Sequence, residues 1–283
     1  ALIEVSTNHA VPKIIETLKK LNLALSSVKY VFVTHVHLDH SSGAGSLLKE
    51  LPNAKLVVHS NGYNHMINPE KLINGAIAVY GKEVVESDYG VILPIDEDRV
   101  ISCKDYESFK LGNRELITIE TPGHARHHIS IFDTLSKGIF TGDSFGLSYP
   151  QLTVDNRRFY QPTTTPTAFE FDKMVESIDK MMKLKPKFLF FTHYGIDENP
   201  KDVENTVVTR LMDYKKMVFP YKEYNSQNIL SLEEDFKYYY LKECRHHGIN
   251  LSDAEIIKLF DIDIKLNAMG LMLWRSKTID LVI

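Results

Sequence analysis

Thr34-His35-Val36-His37-Leu38-Asp39-His40 is the stretch that decides how this chain is read. Three histidines and one aspartate crowd into the six positions from His35 to His40. They follow directly on Lys29-Tyr-Val-Phe-Val-Thr34, a short β-rich run, so they sit on a strand-end loop. His35 and His37 are two apart and share a direction in extended backbone, which suits one metal ion. Asp39 and His40 then face a second ion beside it. A metal pair takes its ligands from several strand ends and commonly shares a bridging carboxylate. The downstream sequence supplies those parts. His124 closes Thr121-Pro-Gly-His124, Asp143 closes Thr141-Gly-Asp143, and His193 follows Thr192 at the end of another apolar run. A single strand-end histidine is more often a polar loop residue than a ligand. The joint pattern is what indicates a metal centre.

Outward from this motif, strands and helices alternate. Ala1 to Val5 reads as a strand. A helix opens near Pro12 and carries Ile14, Ile15, Leu18, Leu21 and Leu25 at helical spacing. Ser41 to Leu51 becomes helical, and Lys55 to His59 is the next strand. This alternation indicates α/β architecture. From about Asp98 short strands follow, at Arg99–Cys103, Glu107–Leu111, Glu115–Thr121, His128–Asp133 and Gly138–Thr141. They are expected to form a largely antiparallel meander. Thr167 to Leu184 reads as a helix opened by a Thr167–Glu170 capping box, and Pro186 to Thr192 as a strand. After Pro200 the chain reads as helical, with a second capping box at Ser252–Glu255. Ile256 to Trp274 is apolar on more than one face, as in a buried helix or a contact between two copies of the chain.

The bulk properties bound the function. The chain has 283 residues, 43% of them hydrophobic, and a formal net charge of -4. That balance is ordinary for a globular protein and lacks the basic surplus that drives nucleic-acid binding. The two cysteines, Cys103 and Cys244, have no metal-ligand spacing and read as reduced thiols of a cytoplasmic protein. No apolar run is long enough to suggest a membrane span. A small-molecule substrate, with neither nucleic acid nor membrane as partner, is the expectation. Ala1-Leu-Ile-Glu-Val reads as a strand already under way, so the numbering is expected to start downstream of the native beginning.

The series His-x-His-x-Asp-His, Pro-Gly-His, Gly-Asp and strand-terminal His resembles the metallo-β-lactamase superfamily, and within it the glyoxalase II-like stand-alone hydrolases. The resemblance runs from about Ala1 to Gly195. It implies an α/β, αββα sandwich with a helical C-terminal extension. On that reading a catalytic domain spans 1–200, with its first strands missing from this numbering. A helical extension over 201–283 packs on it or forms a homodimer contact. The resemblance assigns His35, His37 and His124 to one metal, Asp39, His40 and His193 to the other, and Asp143 as the bridge. Two divalent ions are implied; zinc is the default for hydrolysis, and the oxygen and nitrogen donors also accept iron or manganese. A hydroxide bridging them would attack an ester, thioester or lactone, with Asp39 as the catalytic carboxylate that accepts or shuttles its proton.

Departures from the family pattern qualify this. Glu4 and Ser6-Thr7 stand where relatives have Asp and a Gly turn, so the supporting place the resemblance implies for Glu4 is filled by a different side chain. Lactone-cleaving relatives carry a tyrosine three residues past the bridging aspartate, where this chain has Gly146. Tyr194 reads equally as an oxyanion hydrogen-bond donor or as packing. His128 matches a second histidine of the family and reads as support or packing, and His59 as structural. Phe145, Tyr149 and Tyr160 form an aromatic stretch that walls the cleft or packs as a loop. Two other readings compete with hydrolysis of an acyl compound. One is a diiron redox or oxygen-binding protein, whose flavodiiron type carries Glu where this chain has His37. The other is a phosphodiesterase or nuclease, against which the acidic balance counts.

Overall fold

Parallel strands need crossover connections, and the first half of the chain is built from them. The computed structural model describes residues 1–164 and 166–279. The described chain divides into two compact units. The first comprises Ala1–Glu120 and His127–Ser136. Its elements run β1 (Leu2–Ile3), α1 (Val11–Lys20), β2 (Tyr30–Phe32), α2 (Leu38–Ser41), α3 (Ala44–Glu50), β3 (Lys55–His59), α4 (Ser60–Ile67), α5 (Glu70–Tyr80), α6 (Lys82–Tyr89) and β4 (Val100–Cys103). β5 (Ser108–Leu111), β6 (Arg114–Glu120) and β7 (Ile129–Asp133) complete it.

β1, β2, β3 and β4 form one sheet in that order, and every pairing is parallel. One side of it buries Val31, Val33 and Val58 together with Ile15 and Leu18 of α1 and Leu47 and Leu48 of α3. The opposite side of β2 meets β5, where the rings of Tyr30 and Phe32 lie 5.5 and 5.3 Å from Phe109 in edge-on contact. β5, β6 and β7 form the expected antiparallel meander. Three details depart from the sequence reading. β4 leaves the meander and joins the parallel sheet, in register with β3 (Val57 opposite Ile101). β1 is only two residues long, because Glu4 at φ 67° takes the backbone out of the extended region. α1 stops at Lys20, so Leu21 lies outside it and is 62% exposed.

The second unit comprises Thr121–Arg126 and the described chain from Lys137 onward. It contains β8 (Gly138–Gly142), α7 (Phe171–Met182), β9 (Phe188–Phe191), β10 (Gly195–Asp197) and the helices α8 (Pro200–Val218), α9 (Ser226–His247), α10 (Asp253–Leu259) and α11 (Asp261–Ile279). β8 pairs with β9 in parallel. The Thr167–Glu170 capping box does not form. Glu170 itself precedes the first turn of α7, its N–H donates to Gly123 O (2.8 Å) and its carboxylate pairs with Arg126. The Ser252–Glu255 box does form and starts α10. α9 ends on Gly248 at φ 89°, the left-handed cap glycine allows without strain. Ile256, Phe260, Ile264, Ala268 and Leu271 are buried within the chain, as the first of the two readings of that segment requires. Among the described residues no helix is long and apolar enough to cross a membrane.

Candidate metal centre

β2 lies between β1 and β3, and parallel strands release their chains at one edge, where α/β proteins commonly place ligands. Val33 continues the ladder by donating to Val57 O (3.2 Å), and the next residues are Thr34 and the fully buried His35. His37 is extended (φ -61°, ψ 150°) and precedes the single turn of α2, whose His40 and Ser41 N–H groups donate to its carbonyl. The two imidazoles therefore leave the chain on one side. Their centroids are 4.4 Å apart, with His35 Nε2 at 2.8 Å from His37 Nδ1. The turn of α2 then returns His40 to within 4.0 Å of the His35 ring and sets Asp39 Oδ2 at 3.3 Å from His40 Nε2.

The proton inventory of these groups is informative. The Thr34 hydroxyl donates to Glu4 Oε1, so it accepts from His35 Nδ1–H (3.0 Å). His35 Nε2 is left with its lone pair turned toward His37. Glu4 Oε1 also accepts from His40 Nδ1–H (3.1 Å), which turns the Nε2 lone pair of His40 toward the Asp39 carboxylate. Two acceptors at that separation repel unless a proton or a metal ion lies between them. Glu4 thus supports two of the predicted ligands, one directly and one through Thr34. Its left-handed backbone, at φ 67°, is the kind of local strain that functional positions store.

His128 is fully buried with its ring 5.1 Å from that of His35, and the next residue, Ile129, donates its N–H to Thr34 O (2.7 Å). His127 accepts from Val36 N–H (3.4 Å) and lies 5.7 Å from the His37 ring. His59 has a structural task. Its Nδ1 accepts from Asn61 N–H at the start of α4, and its Nε2 faces Glu120 (3.4 Å). Burial lowers its pKa, against the pull of Glu120. The α5–α6 hairpin packs Val85, with Ile92 beyond it, on Leu38, the residue between His37 and Asp39. Its Tyr80 and Tyr89 are raised in pKa by burial first and by the Asp39 charge second.

The second unit assembles His124, Asp143 and His193 from three separate places. Gly123 at φ 133° makes the Pro-Gly-His turn, and a Cβ there would lie 2.4 Å from the Met174 backbone of α7. Ser177 of α7 donates to Pro122 O (2.5 Å) and Ser144 donates to Thr121 O (3.1 Å), so the turn is held from two sides. Parallel β8 and β9 deliver Asp143 and His193 at the same sheet end. Asp143 Oδ2 lies 3.4 Å from His124 Nε2, and its Oδ1 lies 3.5 Å from His193 Nε2. The Thr163 hydroxyl donates to Asp143 O (3.2 Å) and accepts from His124 Nδ1–H (3.1 Å). The Nε2 lone pair of His124 is therefore turned to a carboxylate oxygen, the arrangement seen at His40 and Asp39. Asp143 sits between two histidines.

Tyr194, 45% exposed, follows His193 at φ 77° with its carbonyl accepting from Arg158 (2.6 Å). Its ring lies 5.3 Å from that of Tyr149, whose hydroxyl donates to Asp263 (2.8 Å). Burial pushes Asp263 up to about 6, opposed by the hydrogen bond from Tyr149 and by the charge of His193. Gly146 is at φ 73°, and a Cβ there would meet Gln161 O at 1.9 Å, so this position takes no side chain. Sequence reasoning passed over Thr163, Asn267, Asp263 and the α5–α6 hairpin. Threonine, asparagine and helical tyrosines carry no spacing signal, and only the fold brings them near the ligands.

The matching family is described as the metallo-beta-lactamase superfamily, and its profile covers residues 1–193. The chain belongs to that superfamily, most of whose members are metal-dependent hydrolases, and has its fold with a helical C-terminal part. It is 30% identical over 190 residues to a metallo-beta-lactamase fold-containing protein of Sulfurisphaera tokodaii, covering 64% of this chain and 65% of the relative. It is 29% identical over 131 residues to hydroxyacylglutathione hydrolase 1 of Vibrio vulnificus, covering 46% of this chain and 38% of the relative. The chain thus spans less than two thirds of these curated relatives. A crystal structure of an archaeal superfamily protein from Sulfolobus tokodaii superposes with a TM-score of 0.58 at 27% identity, over 86% of this chain and 79% of that one. The donor set suits divalent metal, since every predicted ligand is an imidazole nitrogen or a carboxylate oxygen.

Proposed function

We propose that the chain hydrolyses an ester, thioester or lactone with a pair of divalent ions, zinc by default, held jointly by His35, His37, Asp39, His40, His124, Asp143 and His193. One observation carries this reading. In each unit the supporting hydrogen bonds put the imidazole proton on Nδ1 and turn Nε2 toward a carboxylate oxygen, at His40–Asp39 and at His124–Asp143. Lone pairs so opposed call for a shared cation. The similarity to a hydroxyacylglutathione hydrolase points to acyl transfer to water as the reaction class.

When bound, the ions supply an activated water and polarise the oxygen of the electrophile. The protein's own groups do the rest. Glu4 and Thr34 hold His40 and His35 in the metal-binding tautomer, and Thr163 does the same for His124. Asp39, with its side chain 46% exposed, is placed to hold a proton at its carboxylate. The exposed Tyr194, its ring 6.1 Å from that of His193 and 5.3 Å from that of Tyr149, offers a substrate wall with a phenol group. His37, where the flavodiiron type of this fold has glutamate, favours hydrolysis over flavodiiron redox chemistry. Both cysteines are buried free thiols, pushed up by burial to about 12.

A panel of thioesters, lactones and phosphodiesters, offered to the zinc-loaded protein, tests the proposal. Turnover of an acyl compound, lost in His37→Ala, is expected. Phosphodiester cleavage alone, or two bound irons with an oxygen-sensitive optical band and no hydrolysis, would overturn it.

A further inference from the structure

The half of the ligand set in the second unit is tied to the helices that end the chain. The connection starts at the Nδ1 of His124. Thr163 presents its hydroxyl to that nitrogen at 3.1 Å and its carbonyl at 3.4 Å. The hydroxyl has one proton, which Asp143 O takes, so toward His124 both Thr163 groups are acceptors. Thr163 lies in irregular chain and has no ladder to hold it. The next residue is what is held. Thr164 donates its N–H to Asn267 Oδ1 (2.8 Å) and its hydroxyl to Asn267 O (3.1 Å). Asn267, on α11 and 2% exposed, donates its Nδ2 to the Tyr240 hydroxyl of α9 (3.1 Å). That hydroxyl is 2.6 Å from the one on Tyr214 of α8. Both ends of the Asn267 amide are engaged, and both tyrosines are at most 1% exposed. Asparagine is a poor helix former and costly to bury. A buried network in which every member is satisfied fixes one arrangement of the groups it holds.

We propose that Asn267 and Thr163 are positioning residues for the metal centre: α11 sets the place of Thr163, and Thr163 holds the His124 proton on Nδ1 so that Nε2 is available to metal. This rests on the ligand assignment above. It gives the C-terminal helices a task at the site, that of tuning its metal affinity.

The test is zinc affinity, measured on the full chain stripped of metal and titrated with zinc against a chromophoric chelator. Thr163→Val and Asn267→Leu are expected to weaken zinc binding about 10-fold or more, and Thr163→Ser to stay within about 2-fold of wild type. In ¹⁵N spectra of the zinc-loaded protein, Thr163→Val should lose the Nδ1–H signature of His124 that Thr163→Ser keeps. Val207→Ala, a cavity variant in buried α8, is expected to lower stability and leave zinc affinity unchanged. If Asn267→Leu does not fold, the Thr163 pair decides in the same terms. Wild-type affinity in Thr163→Val and Asn267→Leu, with His124→Ala losing zinc, would overturn the positioning role alone. An equal loss in Val207→Ala would also overturn it. Full zinc binding by His124→Ala would overturn the ligand reading and this inference together.

Discussion

In the first unit, His35, His37, Asp39 and His40 come from one loop and lean on Thr34 and Glu4, close to where β1 and β2 pair. In the second, His124, Asp143 and His193 come from three strand ends or turns and lean on Gly123, on Thr163 and, through Thr164, on a helix more than a hundred residues away. The first half is a local construction: an extended residue pair, then one helical turn. The second is a tertiary construction whose parts have meaning only once β8 and β9 pair and α7 closes on the Pro-Gly-His turn. The difference teaches that candidate ligands can be legible in sequence while the groups supporting them are not, and that variants in the two halves should fail in different ways.

The largest effect should not distinguish the halves. His37→Ala and Asp143→Ala should each remove bound metal and bring hydrolysis to background, read by elemental analysis and the substrate panel. If one of them leaves metal and turnover intact, the halves do not share a centre. Gly123→Ala comes next. A side chain at φ 133° and 2.4 Å from the α7 backbone should cost about 2–4 kcal/mol in urea unfolding. In the first unit the glycine against the ligand loop is Gly62, where a Cβ would lie 2.7 Å from a Val36 methyl group. Glu4→Gln should weaken zinc affinity about 10–100-fold, the range for a group that orients ligands. Its effect should exceed that of Thr163→Val, because Glu4 serves His40 and, through Thr34, His35. The reverse ranking would break the comparison.

The last effect concerns pH. Asp263 rises from 3.8 to about 6 on folding because it is buried. Between those values the native chain holds the proton that the unfolded chain has lost. The contribution is therefore full below the unfolded value and is lost as pH rises through the folded one. Asp263→Asn should flatten that decline in a urea series between about pH 4 and 6.5. An unchanged slope would show that Asp263 ionises as easily in the native chain.

The legible part of the molecule follows from this contrast. His35 to His40 could be read because the chemistry is concentrated where a strand period gives way to a loop. His124, Asp143 and His193 could be read because each ends an apolar run. The partners of strands could not be read from local pattern. β4 looked like the first strand of the meander, yet its side chains pack against β3 in parallel register. The Thr167–Glu170 capping signal was sound as a local rule and lost to tertiary contacts, since Gly123 and Arg126 claim the Glu170 backbone and side chain. Asn267 gave no signal, because a polar residue in an apolar helix is indistinguishable from a surface position until its neighbours are known.

The central proposal is that the chain binds a pair of divalent ions with Asp143 among their ligands. The most direct test is the metal content of the chain purified without added metal, wild type beside Asp143→Asn. About two divalent ions per wild-type chain, with clear loss in the variant, is the predicted result. One ion or none in the wild type, or an unchanged pair in the variant, would contradict it.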